Sequence, residues 1–418
     1  MPHSAFRISL FILSTLVAIA TLCDAFSVRI DKRKIRPISA AATVPLAMAK
    51  GFGSTSTSSN SKKGKKEKKT KYPKRNGGSY NPDTSDTTKR LLEWLDKEEV
   101  EGLEGAEIGL AATPDGTMLR GVFAKQDFSR GDYILAVPFV STLLIKEDFE
   151  VTETKSDDAK HCLLASQPEN GMLLWQRFLH NKDMNSDSQH EKYKAYLDCL
   201  PMSPEDPHFD ETPDFWSDEE IQRLKVPSLV EQIQSRKKAI ENVAIEYNEN
   251  HPGNPLKLSE LQQACWMLQT RGFTTFKKAI DLDGREGVLS RVILIPFVDF
   301  VNHGPDNKND PECASNAVIE VIETKEYDES FYALVAARTI RKGEEIRICY
   351  GTGKETTPEL FAKYGFFPAG NEQNDKSSLS TLLEGASLDD SLEELGKDEG
   401  RRLDQVLALQ TMMKHCFY

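Results

Sequence analysis

The stretch PFVDFVNHG, Pro296 to Gly304, follows the apolar run Val292–Ile295 and reads like the interior of a sheet that stops abruptly. A carboxylate (Asp299), an amide (Asn302) and an imidazole (His303) crowd the end of that run. Buried polar groups cost free energy unless they are hydrogen-bonded. Something must therefore satisfy these three.

Downstream, the segments NAVIEVI, SFYALVAAR and EEIRICYG read as strands, with Arg341-Lys342-Gly343-Glu344 as the turn between the last two. Ile346, Ile348 and Tyr350 alternate and should share one face. Pro358-Glu359-Leu360-Phe361 opens a helical turn that ends at Tyr364-Gly365. Upstream, from about 145 to 270, the periodicity is helical: Leu173–Leu179, Lys192–Leu200, Val226–Glu249 and SELQQACWMLQTRGF, the last capped by Ser259. Its apolar stripe, Leu261, Ala264/Cys265 and Leu268, reaches Arg271 one turn later. A guanidinium on a core-facing side needs an anion, and a structural ion pair is the simplest reading of Arg271 alone. Earlier still, RGVFAKQDFSRGDYILAVP holds two apolar runs separated by Ser129-Arg130-Gly131-Asp132, and Thr88–Val100 is a short amphipathic helix. Strands, a helical insert and more strands make an α+β protein.

Charge is unevenly spread along the 418 residues. Residues 1–75 hold 16 Lys/Arg and 3 Asp/Glu, and the remainder 37 and 62. An acidic body of that size argues against nucleic acid as the main partner and favours basic peptides or basic protein surfaces. The seven cysteines are scattered, with no C-x-x-C and no zinc spacing, so reduced thiols and no metal are expected. No G-x-G-x-x-G, P-loop, G-x-S-x-G or H-E-x-x-H occurs, so the ordinary nucleotide and hydrolase motifs are absent.

Residues 1–25 read as a signal peptide, with the apolar run ISLFILSTLVAIATL too short for a membrane span. Residues 26–50, opening on Phe26, are basic, acid-poor and hydroxyl-containing, which is transit-peptide composition. The pair resembles the bipartite plastid presequence of algae with complex plastids, and implies the chloroplast stroma; ordinary secretion is the alternative. Residues 51–87 are a low-complexity basic linker expected to be disordered, and 369–418 form a short acidic tail with helical character. No membrane span is expected in the mature chain, and a monomer is the expected state.

Four words now stand in order: RGVFAKQDFSRGDYILAVP, QTRGF at a helix end, PFVDFVNHG, and GEEIRICYG followed by ELFAKYGFF. Together they resemble the SET-domain protein methyltransferases over residues 88–368, and within them the Rubisco large-subunit lysine methyltransferase-like class, whose SET domain is split by a helical insert. The resemblance implies small sheets, a knot-like C-terminal segment and a large α-helical insert. It also implies S-adenosylmethionine as cofactor, with Asn302 and the backbone of His303 holding it. Met118, Leu119 and Arg120 match the family's contacts to the methionine part. Phe366 matches the ring that stacks on adenine. Arg271 matches an arginine near both cofactor and lysine, and Asp299 a substrate-side carboxylate. Tyr350 matches the catalytic tyrosine and Tyr364 a second tyrosine of the active-site wall. Ala314 stands where the family often has a tyrosine, and Gly272 where alanine is common. Fewer residues follow Pro368 than the family's C-terminal helical domain occupies, which weakens the case for Rubisco itself as substrate. The implied function is a protein-lysine N-methyltransferase whose partner is a non-histone, plastid protein with a target lysine. The alternatives are a protein-histidine methyltransferase on the same scaffold and a catalytically silent SET-like binding module.

Overall fold

The structure, a computed structural model, describes residues 44–45, 80–112, 118–151, 165–180, 189–201, 212–280, 285–305, 314–324, 329–351, 353–368, 371–374, 406 and 408–409. The signal-peptide segment, nearly all of the basic linker and most of the acidic tail lie outside the described residues. In chain order the elements are β1 (Val44–Pro45), β2 (Asn81–Pro82), α1 (Asp86–Lys97), β3 (Ala106–Ala112), β4 (Met118–Ala124), β5 (Tyr133–Pro138) and β6 (Leu143–Val151). Helices α2 (Pro168–Leu174), α3 (Gln189–Leu197), α4 (Asp218–Gln222), α5 (Pro227–Asn250) and α6 (Leu258–Arg271) follow. The chain returns to strands with β7 (Phe273–Ile280), β8 (Glu286–Leu294), β9 (Asn302–His303), β10 (Ala317–Thr324), β11 (Glu329–Ala336) and β12 (Glu345–Ile348), and then forms α7 (Thr357–Tyr364).

Three small sheets result, in the orders β1-β10-β11-β5, β2-β3-β4-β12-β9 and β6-β8-β7. The second positions the site. Strand β12 lies antiparallel to β4, with Ile346 opposite Val122, and parallel to β9, with Arg347 opposite Asn302 and Ile348 opposite His303. A late strand thus enters between two earlier ones. The α+β architecture with a helical insert is as the sequence implies.

Local chemistry explains most boundaries. Ser85 caps α1 by accepting from the Thr88 N–H, and Leu91 and Leu95 bury its inner face completely. Helix α1 begins at Asp86, and Tyr80 stacks on Phe123 at 4.1 Å, so ordered structure starts inside the segment expected to be linker. Thr356 and Glu359 form a capping box on α7, and Gly365 ends it with φ 76°. Both expected turns close: Asp132 N–H reaches Ser129 O at 3.0 Å and Glu344 N–H reaches Arg341 O at 2.9 Å, with Gly131 and Gly343 at positive φ.

Two expectations are corrected. Helix α6 starts at Leu258 after Lys257, so Ser259 lies inside the first turn rather than capping it. Leu143–Val151, read as the start of the helical insert, is instead β6 and pairs antiparallel with β8. Ile145 is fully buried, while Lys146 and Asp148, two residues apart and half-exposed, pair at 2.7 Å.

The opening stretch stops being a strand at a backbone switch. Strand β8 ends at Leu294, and buried Phe297 takes φ 72° and ψ −45°. Val298–Phe300 then make one 3₁₀ turn before the chain re-extends at Asn302. A bulky residue at positive φ costs on the order of 1–3 kcal/mol and persists only where packing over-determines it.

Candidate active site

The polar groups of the opening stretch each find a partner. Asn302 Nδ2 donates to Arg120 O at 2.9 Å and to Glu345 Oε1 at 2.8 Å, tying β9 to β4 and to the start of β12. Gly121 makes this possible, because a Cβ there would lie 2.7 Å from Asn302 Nδ2 and 2.8 Å from Glu345 Oε1. With its amide hydrogens committed, Asn302 offers a ligand its side-chain carbonyl and its backbone. His303 Nδ1 accepts from the Tyr350 N–H at 3.0 Å. Burial, then the nearby Arg347 charge, pushes the imidazole down to about 4, so it is neutral near pH 7. An accepting Nδ1 puts the proton on Nε2, and Nε2 is buried without a protein partner.

Around His303 stands an aromatic wall. Its ring lies 5.3 Å from Tyr350 and 5.4 Å from Phe366; Tyr350 lies 5.1 Å from Tyr364, and Tyr364 5.9 Å from Phe366. Tyr350 Oη donates to Val301 O at 2.7 Å. With its proton committed there, that oxygen acts as an acceptor. Burial first, then Glu355, Tyr350 and Cys349, holds the Tyr364 phenol well above its usual range, so it stays neutral. Gly351, at φ 68°, follows Tyr350, and the Glu355 carboxylate fills the space a side chain there would need.

A charged cluster adjoins this wall two residues before Val301, at Asp299. Asp299 is fully buried at its side chain, accepts from Tyr196 Oη at 2.9 Å on Oδ2, and faces Arg271 NH1 at 3.7 Å. Arg271 NH1 also donates to the Asp299 main-chain oxygen at 3.1 Å. Burial outweighs these partners and lifts the Asp299 carboxyl to about 6. Arg120 NH2 donates to Cys199 O at 2.9 Å, and its guanidinium covers the Phe300 ring at 4.5 Å; Arg271 sits 5.7 Å from the same ring.

Arg271, Asp299, Asn302, His303, Tyr350, Tyr364, Phe366 and Arg120 therefore join one connected region. The ion pair expected for Arg271 is present, and the Asp299 carboxyl faces Tyr196 and Arg271. Met118 and Leu119 open β4 with large apolar side chains 39% and 37% exposed, as rim residues would be. Ile346 and Ile348 are buried as the alternation required, but Arg347 between them is buried too, because β12 is covered on both sides. Ala314 is buried. At Gly272 an alanine Cβ would collide with the Leu268 carbonyl oxygen.

The sequence reading missed Tyr196, Phe300, Glu345, Arg236 and Gln269. The last two hold α7: Arg236 NH2 donates to Ala362 O at 2.9 Å, and Gln269 Nε2 to Lys363 O at 2.8 Å, with Asp214 bridging both donors. They satisfy carbonyls that a helix end leaves open, just ahead of Tyr364. Only Tyr196 carried a signal, its spacing of three from Tyr193 on a buried helix face.

Strand β12 between β4 and β9, with an aromatic wall against the Asn-His pair, defines a class. A family model of the SET domain matches residues 119–351, and the chain belongs to the SET-domain family. It is 24% identical over 301 residues to the chloroplastic [fructose-bisphosphate aldolase]-lysine N-methyltransferase of Arabidopsis thaliana, covering 69% of this chain and 54% of that protein. It is 23% identical over 308 residues to the chloroplastic ribulose-1,5 bisphosphate carboxylase/oxygenase large subunit N-methyltransferase of Pisum sativum, covering 72% and 55%. The chain spans about half the length of these curated relatives. Among solved structures it is similar to the SET domain of LSMT bound to lysine and AdoHcy, at 20% identity and TM-score 0.45 over 68% of this chain and 58% of that one.

The site's own residues fit S-adenosylmethionine. His303 presents a buried N–H donor without a protein partner, Phe366 a ring beside it, and Met118 and Leu119 an exposed apolar rim. Among the described residues no cluster of His, Cys, Asp and Glu is placed to hold a metal ion, and no helix is long and apolar enough to cross a membrane. Among the described residues, Cys199, Cys265 and Cys349 form no disulfide.

Proposed function

We propose that the chain is an S-adenosylmethionine-dependent protein-lysine N-methyltransferase that acts on a non-histone protein of the plastid. The observation that carries this reading is the Tyr350 phenol, fixed by the Val301 carbonyl and ringed by His303, Tyr364 and Phe366 beside Asn302. S-adenosylmethionine, when bound, supplies an electrophilic methyl on a sulfonium. The protein's part is alignment and exclusion of water. The Tyr350 oxygen, acting as an acceptor, orients the lysine amine. Tyr364 and Phe366 wall the channel without adding charge. The deprotonated lysine is favoured by a nearby cationic centre, which lowers an amine's pKa.

The plastid assignment draws support from the composition of residues 1–50 and from the chloroplastic relatives. The test is radiolabelled methyl transfer from S-adenosylmethionine into a chloroplast lysate, with identification of the modified residue. Methyl-lysine is expected. Methyl-histidine would move the chain to the other methyltransferase reading, and absence of label together with no calorimetric cofactor binding would leave a binding module.

A further inference from the structure

The helical insert reaches the site at one buried point. Tyr196, the penultimate residue of α3, is fully buried, and its hydroxyl donates to Asp299 Oδ2 at 2.9 Å across 103 residues of sequence. Asp299 holds Arg271 twice, through its carboxylate at 3.7 Å and its main-chain oxygen at 3.1 Å. Two residues on, Val301 O anchors Tyr350. We propose that Tyr196 is a positioning residue for Arg271: its phenol fixes the Asp299 carboxylate, and the carboxylate fixes the guanidinium against the site. The proposal rests on the methyltransferase reading above.

The groups facing Asp299 are few. Tyr196 comes from α3, Arg271 from α6 and Arg120 from β4, with Cys199 just beyond α3. Arg120 is engaged elsewhere, by Cys199 O and the Phe300 face. The Cys199 thiol, pushed up to about 12 chiefly by burial, stays neutral. Tyr196 itself is held well above its usual range, by burial first and then by Asp299, so it remains a donor at every working pH. Beside the Asp299 backbone N–H, it is the neutral side-chain donor that favours the ionised form of a carboxyl which burial already lifts to about 6. Remove that hydroxyl and the carboxyl titrates higher, so near pH 7 Arg271 faces a neutral acid and keeps only its bond to the Asp299 main-chain oxygen.

The experiment uses the full chain, wild-type and Tyr196→Phe. The carbonyl stretch of protonated Asp299 is followed by difference infrared titration, with Asp299→Asn identifying the band. Methyl transfer from radiolabelled S-adenosylmethionine into chloroplast lysate is measured from pH 5.5 to 9 on the same preparations. The wild-type band should titrate near 6, and Tyr196→Phe should raise the midpoint by roughly one to two pH units. The acid limb of the rate profile should rise by the same amount, with the rate at pH 9 recovering to within about threefold of wild type. A merely structural tyrosine would lower the rate at all pH values alike. A wild-type midpoint near 4, an unmoved midpoint in the variant, or a moved midpoint with an unmoved rate profile would each overturn the proposal. Absence of methyl transfer by the wild-type chain would sink the methyltransferase reading and the positioning role with it, and the infrared titration would still show separately whether the Tyr196–Asp299 pair exists.

Discussion

One wall of the site is built of charge and the other of rings. On the charged wall, Tyr196, Asp299 and Arg271 are linked by hydrogen bonds and ion pairing, Arg120 lies alongside on Cys199 O and the Phe300 ring, and the group is largely shut off from water. On the aromatic wall, His303, Tyr350, Tyr364 and Phe366 contact one another through ring edges and faces, with single hydrogen bonds fixing Tyr350. A buried charge stripped of its partner is a stability problem. A ring that keeps its volume but loses an oxygen is a rate problem. The two walls should therefore fail differently.

The largest effect is expected from Asp299→Ala. It leaves Arg271, 16% exposed at its side chain, facing a buried gap in place of its carboxylate. Removing one partner of a buried pair costs about 3–5 kcal/mol, measured by urea unfolding of the full chain. A loss under about 1 kcal/mol would mean the charged wall is wet and the contrast between the walls is false.

Tyr350→Phe comes next and should do the reverse. The ring packing survives, and one hydrogen bond to Val301 O is lost, at about 1 kcal/mol of stability. Methyl transfer should fall roughly 10²–10³-fold, about 3–4 kcal/mol in barrier, with S-adenosylmethionine affinity by calorimetry nearly unchanged. Wild-type turnover would make Tyr350 a packing residue.

The walls also titrate in opposite senses. Asp299 is lifted to about 6 from 3.8, so the folded chain binds an extra proton between those values and this contribution to stability falls as pH rises through them. His303 is depressed to about 4 from 6.5, so the unfolded chain binds the extra proton and stability rises with pH over that range. The two slopes oppose each other between about pH 4 and 6. Asp299→Asn removes one of them. Its stability relative to wild type should improve by about 2–3 kcal/mol as pH rises from 4 to 6, read from denaturant midpoints across pH. Parallel curves would contradict the burial of the carboxyl.

The aromatic wall was legible in the sequence because its residues lie in short words, VNHG, CYG and KYGFF, whose glycines and chain order carry the resemblance. Gly351 and Gly365 both adopt the positive φ that such turns need. The charged wall was legible by half. Arg271 announced itself as a cation at the end of an apolar stripe, and Asp299 as a carboxylate in an apolar run. Their common partner Tyr196 did not, since a tyrosine on a buried helix face looks like any core residue until the tertiary fold brings it 2.9 Å from a carboxylate. Strand β6 was lost to the helical character around it, and the positive φ at Phe297 has no local sequence cause: packing imposes it. Gly272 shows the converse, a residue whose need for no Cβ appears only once the Leu268 carbonyl is seen against it.

Asn302→Ala tests the seam between the walls. The amide ties Arg120 O to the Glu345 carboxylate, so its loss takes a donor from part-buried acceptors on both β4 and β12. A cost of about 1–3 kcal/mol is expected, divided between stability and S-adenosylmethionine affinity. If calorimetric affinity is unchanged, the amide serves the sheet alone and the cofactor assignment of the Asn-His pair loses its side-chain half.

The smallest effect belongs to Tyr364→Phe. Tyr364 ends α7, whose last carbonyls are gripped by Arg236 and Gln269, so the backbone beneath the ring is fixed independently of its hydroxyl. The ring is buried and lies 5.1 Å from Tyr350 and 5.9 Å from Phe366, so phenylalanine keeps the wall. Its phenol is neutral at every working pH, and deleting it removes no charge. The rate should change by less than about tenfold, under 1.4 kcal/mol. What should change is room: one oxygen fewer beside Tyr350 gives a methylated amine space to turn and accept another methyl. Mass spectrometry of the modified lysine should therefore show a shift toward higher methylation at equal turnover number. A fall as deep as that of Tyr350→Phe, with the methylation state unchanged, would place Tyr364 among the groups that orient the amine rather than among those that bound its channel.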